Sequence, residues 1–254
     1  MQPGTQKSAL VTNATGFAGP PAVAALREAG FRVLAHDAAF ADASAWEAFR
    51  AGRDCMEPIS ERRPEAVIAH AMALTPRLCA LVSNDHYPAP SMPVETAPAC
   101  ELDANFEKLV AFPFRLVQAA IPHLADSAPA NIVMITSNRT KLPLAGAAFA
   151  DAARAGANAL VRSLAIDCAK HAVTVNAVAP NFLYSETYFP RAVFQDSETG
   201  RDFVRAQVPV GRLADPHEIG ELIVFLATAK SRFLTGAVVD FSGGWPHGAP
   251  RPTM

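Results

Sequence analysis

Short apolar runs begin at Ala9, Phe31, Leu78, Ile132, Val173 and Ala237, and between them lie segments whose apolar residues recur at helical spacing. Strand alternating with helix leaves few solutions. Parallel neighbours need a long crossover, the crossover is a helix, and its hand is fixed, so the helices cover both faces of one sheet. The pattern predicts a doubly wound parallel sheet in three α/β/α layers, as a single domain over residues 1–254. Half of the residues are hydrophobic and 18% are charged, which suits a core on both sides of a sheet. A net charge of −2 supplies neither a basic stripe for nucleic acid nor a cationic face for a membrane. The expected partners are a small molecule and further copies of the chain. Met1 to Ser8 lacks the apolar core of a signal peptide and no run has the length of a membrane span, so a cytoplasmic location is expected.

The first unit is the most informative. Ala9-Leu10-Val11 reads as a strand, Thr12 to Gly19 as a turn, Pro20 to Ala29 as a helix stopped by Gly30, and Phe31 to Ala35 as the next strand. Asp37 follows that second strand, where a dinucleotide-binding protein places an acid to hold the adenosine ribose. The turn points the other way. A pyrophosphate needs free backbone N–H groups and approach unhindered by side chains, which is why such turns carry several glycines. In the pattern TGxxxGxG the first glycine position holds Asn13 and the second Phe17; Gly19 stays in register and Gly16 lies one place early. A phenyl ring at Phe17 would project toward the nucleotide. Displacement of the cofactor by a filled or repurposed pocket is the expectation.

Further along, Ser44 to Arg50 is expected as a helix with a Ser44/Glu47 capping box, and Arg63 to Ala73 as another. Leu78 to Val82 is a buried strand ending in Ser83-Asn84-Asp85-His86, at the carboxyl end where an open parallel sheet forms its crevice. Asn84 and Asp85 are therefore candidate site residues, and His86 is expected to flank the pocket. Glu101 to Leu124 reads as one helix interrupted at Pro113. Val173 to Ala179 alternates as a strand before Pro180, and the loop Asn181 to Tyr188 should face the site. Phe194 to Pro209 is a polar excursion, Pro216 to Ala227 a helix capped by Asp215, and Thr235 to Phe241 the last strand. Cys55, Cys79, Cys100 and Cys168 have no metal-ligand spacing and are expected as buried thiols; no metal site is expected. The proline-rich tail, 245–254, is too rich in proline for regular structure.

The centre of the chain is the stretch from Thr136 to Asn158. It starts where the run Ile132 to Ile135 ends and closes inside an alanine-rich helical segment, so Ser137 at a strand's carboxyl end faces a helix carrying Arg154. A hydroxyl opposite a buried cation is an active-site layout.

The order of elements, Thr12 to Gly19, Val82-Ser83-Asn84, Ser137, Leu234-Thr235-Gly236 and Ser242-Gly243-Gly244 together resemble the short-chain dehydrogenase/reductase superfamily, over essentially the whole chain. The resemblance implies a Rossmann-like fold. Members use a serine, a tyrosine thirteen residues on and a lysine four further; this chain has Ser137, Ala150 and Arg154 at those spacings. Arginine for lysine, Phe17 in the glycine turn, Ser83-Asn84-Asp85 and Pro180-Asn181-Phe182-Leu183 resemble a narrower branch, the halohydrin dehalogenases. That branch has the same fold and uses no nucleotide cofactor.

The resemblance implies interconversion of vicinal haloalcohols and epoxides with halide release. Ser137 would hold the hydroxyl or epoxide oxygen, Arg154 would supply positive charge, and Asp85 would orient Arg154 by a charge-assisted bond. Phe17, Pro180, Asn181, Phe182 and Leu183 would line a pocket for halide or another small anion, with Tyr188 supporting the loop. Ala150 has no proton to give or take, and the neighbouring Phe149 points about 100° away on a helix. A different base is then required: a water held by Ser137 and Arg154, or the phenol of Tyr184 or Tyr188. An NAD- or NADP-dependent oxidoreductase using Asn13, Gly16, Gly19 and Asp37 is the alternative, and a non-catalytic relative binding a small ligand is a second. The apolar helices over 101–124 and 154–170 predict a homodimer or homotetramer.

Overall fold

The computed structural model describes residues 6–248. Its spine is one seven-stranded parallel sheet of order β3-β2-β1-β4-β5-β6-β7. The chain runs β1 (Ser8–Val11), α1 (Gly19–Glu28), β2 (Arg32–His36), α2 (Ala43–Arg50), β3 (Met56–Ile59), α3 (Pro64–Leu74) and β4 (Leu78–Ser83). It continues through α4 (Ala99–Phe106), α5 (Phe112–Asp126), β5 (Ala130–Ile135), α6 (Ala148–Ala169), β6 (Val173–Pro180), α7 (Arg191–Phe194), α8 (Glu198–Gln207), α9 (Pro216–Ala227) and β7 (Val238–Phe241). Winding goes outward from β1 to β3 and then, from β4, outward the other way. The reversal lies between β1 and β4, whose carboxyl ends therefore open a crevice that no crossover covers.

The apolar runs form strands because both faces are covered. On β5, Ile132 and Met134 enter the core beneath α3, α5 and α6, while Val133 and Ile135 enter the opposite core beneath α1 and α9. On β1, Leu10 faces the first of these and Ala9 and Val11 the second. Strands β1, β4, β5 and β6 are buried throughout; β1, β4 and β5 show nearly continuous apolar runs, whereas β6 alternates because its buried Thr174 and Asn176 are hydrogen-bonded to Asn131 and Leu234. Helix α9 begins at Pro216 with a complete capping box, Asp215 to Glu218, as its sequence predicts.

The structure corrects several expectations. Strand β3 is absent from the sequence reading: Met-Glu-Pro-Ile is neither long nor alternating, and it pairs only with β2 at the sheet's edge. Helix α2 is capped by Asp42, whose carboxylate accepts from Ser44 N at 2.8 Å, so Ser44 lies inside the helix rather than at its cap. The interruption predicted at Pro113 falls earlier. Pro113 sits in the first turn of α5, where its missing N–H is harmless, and a π-helical segment, Glu107–Ala111, joins α4 to α5. The polar excursion contains α7 and α8. Cys79 and Cys168 are buried as expected, but Cys55 and Cys100 are exposed, on the loop entering β3 and in the first turn of α4. Of the tail, Trp245 is buried against Phe182, Val204, Val208 and Leu213; residues 249–254 lie outside the described residues.

Leu81 lies at the centre of the sheet with no exposed surface. Leu81→Ala is expected to cost about 2–5 kcal/mol, the range for opening a cavity in a packed core. Chemical denaturation checks this.

Candidate functional site

At the carboxyl ends of β1, β4, β5 and β6 lies a cavity of about 420 Å³. Its size and mixed apolar lining fit a small-molecule site. Ser137, Ala150 and Arg154 all line it. Ser137 follows β5 directly, and its loop is held by Asn158, which donates to the Ser137 carbonyl at 2.9 Å from the facing helix α6. The Ser137 hydroxyl donates to the Pro180 carbonyl over a long 3.3 Å and accepts from Arg139 N at 3.2 Å. That long bond leaves the hydroxyl proton readily transferred to a ligand oxygen. Ala150 and Arg154 are one helical turn apart on α6 and face the same space.

Arg154 is buried and has no hydrogen-bonded carboxylate among the described residues. One of its terminal nitrogens donates to the backbone carbonyls of Asp85 and Thr136, both at 3.3 Å. Burial pushes its pKa below the usual guanidinium range, opposed by Tyr188 and by Asp85. This corrects the expected role of Asp85: its main-chain oxygen positions Arg154, while its carboxylate is turned to Ser83 and Asn13. Removed from solvent, that carboxyl is pushed up to about 6, despite Ser83 and the Arg154 charge.

The turn after β1 is bound to itself and to β4. Asn84 donates through its side-chain amide to the carbonyls of Asn13 and Gly16, both at 2.9 Å, and Asn13 returns a bond to the Asn84 carbonyl at 3.0 Å. Four backbone donors of the turn are consumed internally: Ala14 N on His36, Thr15 N on Asp37, Gly16 N on Asn13 and Gly19 N on Gly16. The Asp37 carboxylate accepts Thr15 N at 3.1 Å, Thr15 Oγ1 at 2.5 Å and Ala39 N at 3.0 Å, so the acid placed for a ribose is engaged by the turn. A Cβ on Gly16 would stand 2.4 Å from His86 Nε2, and one on Gly19 would meet the Asn13 carbonyl at 2.5 Å. These glycines admit the protein's own atoms.

Phe17, with φ of +47°, lines the cavity and meets Tyr188 edge-on at 5.1 Å and His86 at 6.0 Å. Burial, then Arg154, holds His86 below its usual pKa, and His86 does not line the cavity. Tyr188 does line it. Its hydroxyl is buried, feels the charge and the N–H donors of Arg154, and makes no hydrogen bond of full geometry to any described residue. Burial raises its pKa more than Arg154 lowers it. Tyr184 lies elsewhere, half-buried against the cluster of Phe182 and Trp245, with its hydroxyl donating to Glu186 at 2.5 Å.

Pro180, Asn181 and Leu183 line the cavity beside Phe17, but Phe182 does not. With φ of +53° it turns into the aromatic cluster of Phe189 and Trp245. Asn84 and Asp85 also stand behind the wall. Thr187 lines the cavity with the loop expected to face it, whereas Arg139, Tyr87 and Trp245 line it without having been foreseen. Arg139 and Trp245 follow the carboxyl ends of β5 and β7, the position that already singles out Ser137.

Residues 16–246 match the family profile described as enoyl-(acyl carrier protein) reductase. The chain therefore belongs to the short-chain dehydrogenase/reductase superfamily. Among solved structures it is similar to a dehalogenation enzyme at 32% identity, with 94% of this chain and 98% of that one covered and a TM-score of 0.89. It is also similar to a halohydrin dehalogenase bound to ethyl (2S)-oxiran-2-ylacetate, at 31% identity, 97% and 100% coverage and a TM-score of 0.92. ElxO with NADP bound, at 17% identity, 95% and 99% coverage and a TM-score of 0.86, shares the fold. The curated 3-oxoacyl-acyl-carrier-protein reductase FabG of Vibrio cholerae is 35% identical over 131 residues, 52% of this chain and 52% of that protein. The match thus spans about half the length of the curated relatives. No helix among the described residues is long and apolar enough to cross a membrane.

Asp85 supplies a test of this packing. A carboxyl raised from 3.8 to about 6 favours folding fully below pH 3.8, and that favour is lost as pH rises through 6. Two pH units correspond to on the order of 3 kcal/mol. Asp85→Asn is expected to gain stability relative to the wild type between pH 4 and pH 8, measured by urea unfolding at both.

Proposed function

We propose that this chain closes vicinal haloalcohols to epoxides with release of halide, and runs the reverse opening with small anions, without a nicotinamide cofactor. The observation that carries this reading is a cavity holding Ser137 and Arg154 beside a turn that places the Phe17 ring in its wall and has four backbone N–H groups already bonded within the protein. A pyrophosphate would have to compete with His36, Asp37, Asn13 and Gly16 for those N–H groups, and a ribose with Thr15 for Asp37. These residues do not fit a dinucleotide. The similarity to two dehalogenases over nearly the whole chain supports the same side of the superfamily.

The chemistry follows from the groups present. A substrate hydroxyl oxygen accepts the hydrogen bond that Ser137 now gives to Pro180, and Arg154 stabilises negative charge on that oxygen. As the hydroxyl proton leaves, the oxygen bonds to the adjacent carbon, the carbon–halogen bond breaks, and halide departs with the electron pair. The halide then lies against Phe17, Asn181 and Leu183. Ala150 cannot take the proton; that role falls to the phenolate form of Tyr188, whose side chain lines the cavity and feels the Arg154 charge. Because that phenol titrates above its ordinary value, the rate is expected to rise with pH into the alkaline range. Exposed apolar side chains on α4, α5 and α6, including Phe106, Phe114 and Ile166, support assembly into a homo-oligomer.

A reductase reading has support in the family profile and in FabG. It requires the turn donors to be released, and hydride transfer to proceed with Ala150 in place of a proton donor.

Halide release from a simple vicinal bromohydrin and azide opening of ethyl (2S)-oxiran-2-ylacetate test the proposal. Ala150→Tyr is expected to raise either rate by about 10²–10⁴, the usual worth of a positioned base. Tyr188→Phe is expected to remove the alkaline rise. A well-folded Ala150→Tyr variant that remains inert on both substrates would sink the assignment.

A further inference from the structure

Arg139 is the second cation of the cavity, and the reaction proposed above has no use for it. The lining contains two guanidinium groups, Arg139 and Arg154, and no aspartate or glutamate. The two repel one another, each acting on the same enclosed space. Arg154 is buried at the reacting end with Ser137, whereas Arg139 keeps about a third of its side chain, 32%, in solvent.

The Arg139 guanidinium is fixed along one edge. Its Nε donates to Asp151 Oδ1 at 2.6 Å, and Asp151 is the residue after Ala150 on α6. Its two terminal amino groups make no hydrogen bond to any described residue, so its outer fork is free. A fork held at one edge is oriented for a planar, two-oxygen acceptor at the other. The backbone N–H of the same residue donates to the Ser137 hydroxyl at 3.2 Å, which ties the free fork to the reacting group by a short, rigid stretch of chain. Asp151 balances Arg139 along one edge only, so a neutral substrate would leave the outer fork without an acceptor and Arg154 without a hydrogen-bonded carboxylate, and a substrate carboxylate on that fork would supply one.

We propose that the substrates are short haloalcohols and epoxides bearing a carboxylate, with the carboxylate on the outer fork of Arg139 and the reacting oxygen between Ser137 and Arg154. This rests on the dehalogenase reading for the reaction but not for the binding. For 4-chloro-3-hydroxybutanoate the balanced step is transfer of the C3 hydroxyl proton to the Tyr188 phenolate, formation of the O–C4 bond and cleavage of C4–Cl, with chloride taking the pair. The product is 3,4-epoxybutanoate.

The test compares that acid with its neutral, nearly isosteric amide, 4-chloro-3-hydroxybutanamide, by calorimetric binding and by chloride release. The acid is expected to bind at least about tenfold more tightly, a factor set by one charge-assisted contact. Arg139→Met should remove the preference of acid over amide, while Arg139→Lys, which keeps the charge but loses the fork, should retain part of it. Equal binding of acid and amide by the wild type, or a preference that survives Arg139→Met, overturns the inference. The two readings separate cleanly. Selective binding of the acid with no chloride released from either compound keeps the carboxylate site and removes the dehalogenase. Chloride released equally from both keeps the dehalogenase and removes the carboxylate site.

Discussion

The site depends on the bonds from Asn84 to the turn after β1. Its side-chain amide spans the carbonyls of Asn13 and Gly16, its backbone N–H donates to Thr12 Oγ1 at 3.0 Å, and its carbonyl accepts from Asn13. The residue is fully buried, so each bond replaces water that cannot reach it, and losing one would strand a polar group in the interior. Those bonds decide the shape of the turn. With Asn13 and Phe17 both at positive φ, the main chain curls inward upon its own donors, and the phenyl ring is delivered to the cavity wall.

From that constraint the electrostatics of the cavity follow. The turn brings His86 and Tyr188 against Phe17, so the space next to Arg154 is bounded by rings rather than by carboxylates. Asp85, the one acid close behind Arg154, offers it a carbonyl and spends its carboxylate on Ser83 and Asn13. Arg154 therefore remains a buried cation without a hydrogen-bonded carboxylate among the described residues, which is what the proposed alkoxide would meet. Truncation at Ala150 enlarges the same space at the cost of the hydroxyl that would have shared it.

The fold was legible because its signals are long-range averages. Apolar runs mark strands buried on both faces, and β1, β2, β4 and β5 were marked by them and β6 by its alternation; β3, a short edge strand containing a proline, carries no such signal. Ser137 and Arg154 were legible from position, one past a strand and one on the facing helix. What side-chain direction alone decides was not. Phe182 sits among pocket residues in sequence but its positive φ turns it outward to Trp245. Asp85 meets Arg154 through its backbone, which residue type does not reveal. Arg139 was overlooked although it stands two residues beyond Ser137, because a cation in a loop has no periodicity to betray whether it faces solvent or a cavity.

The account turns on what the space beside Phe17 and Asn181 accepts. Crystals soaked separately in sodium bromide and in NADPH, with anomalous data collected for bromine, address it directly. A bromide peak between Phe17, Asn181 and Leu183, with no ordered nucleotide along Asn13 to Gly19, is the expected result. An ordered dinucleotide on that turn, with the Asn84 bonds to Asn13 and Gly16 broken to admit it, would contradict the account.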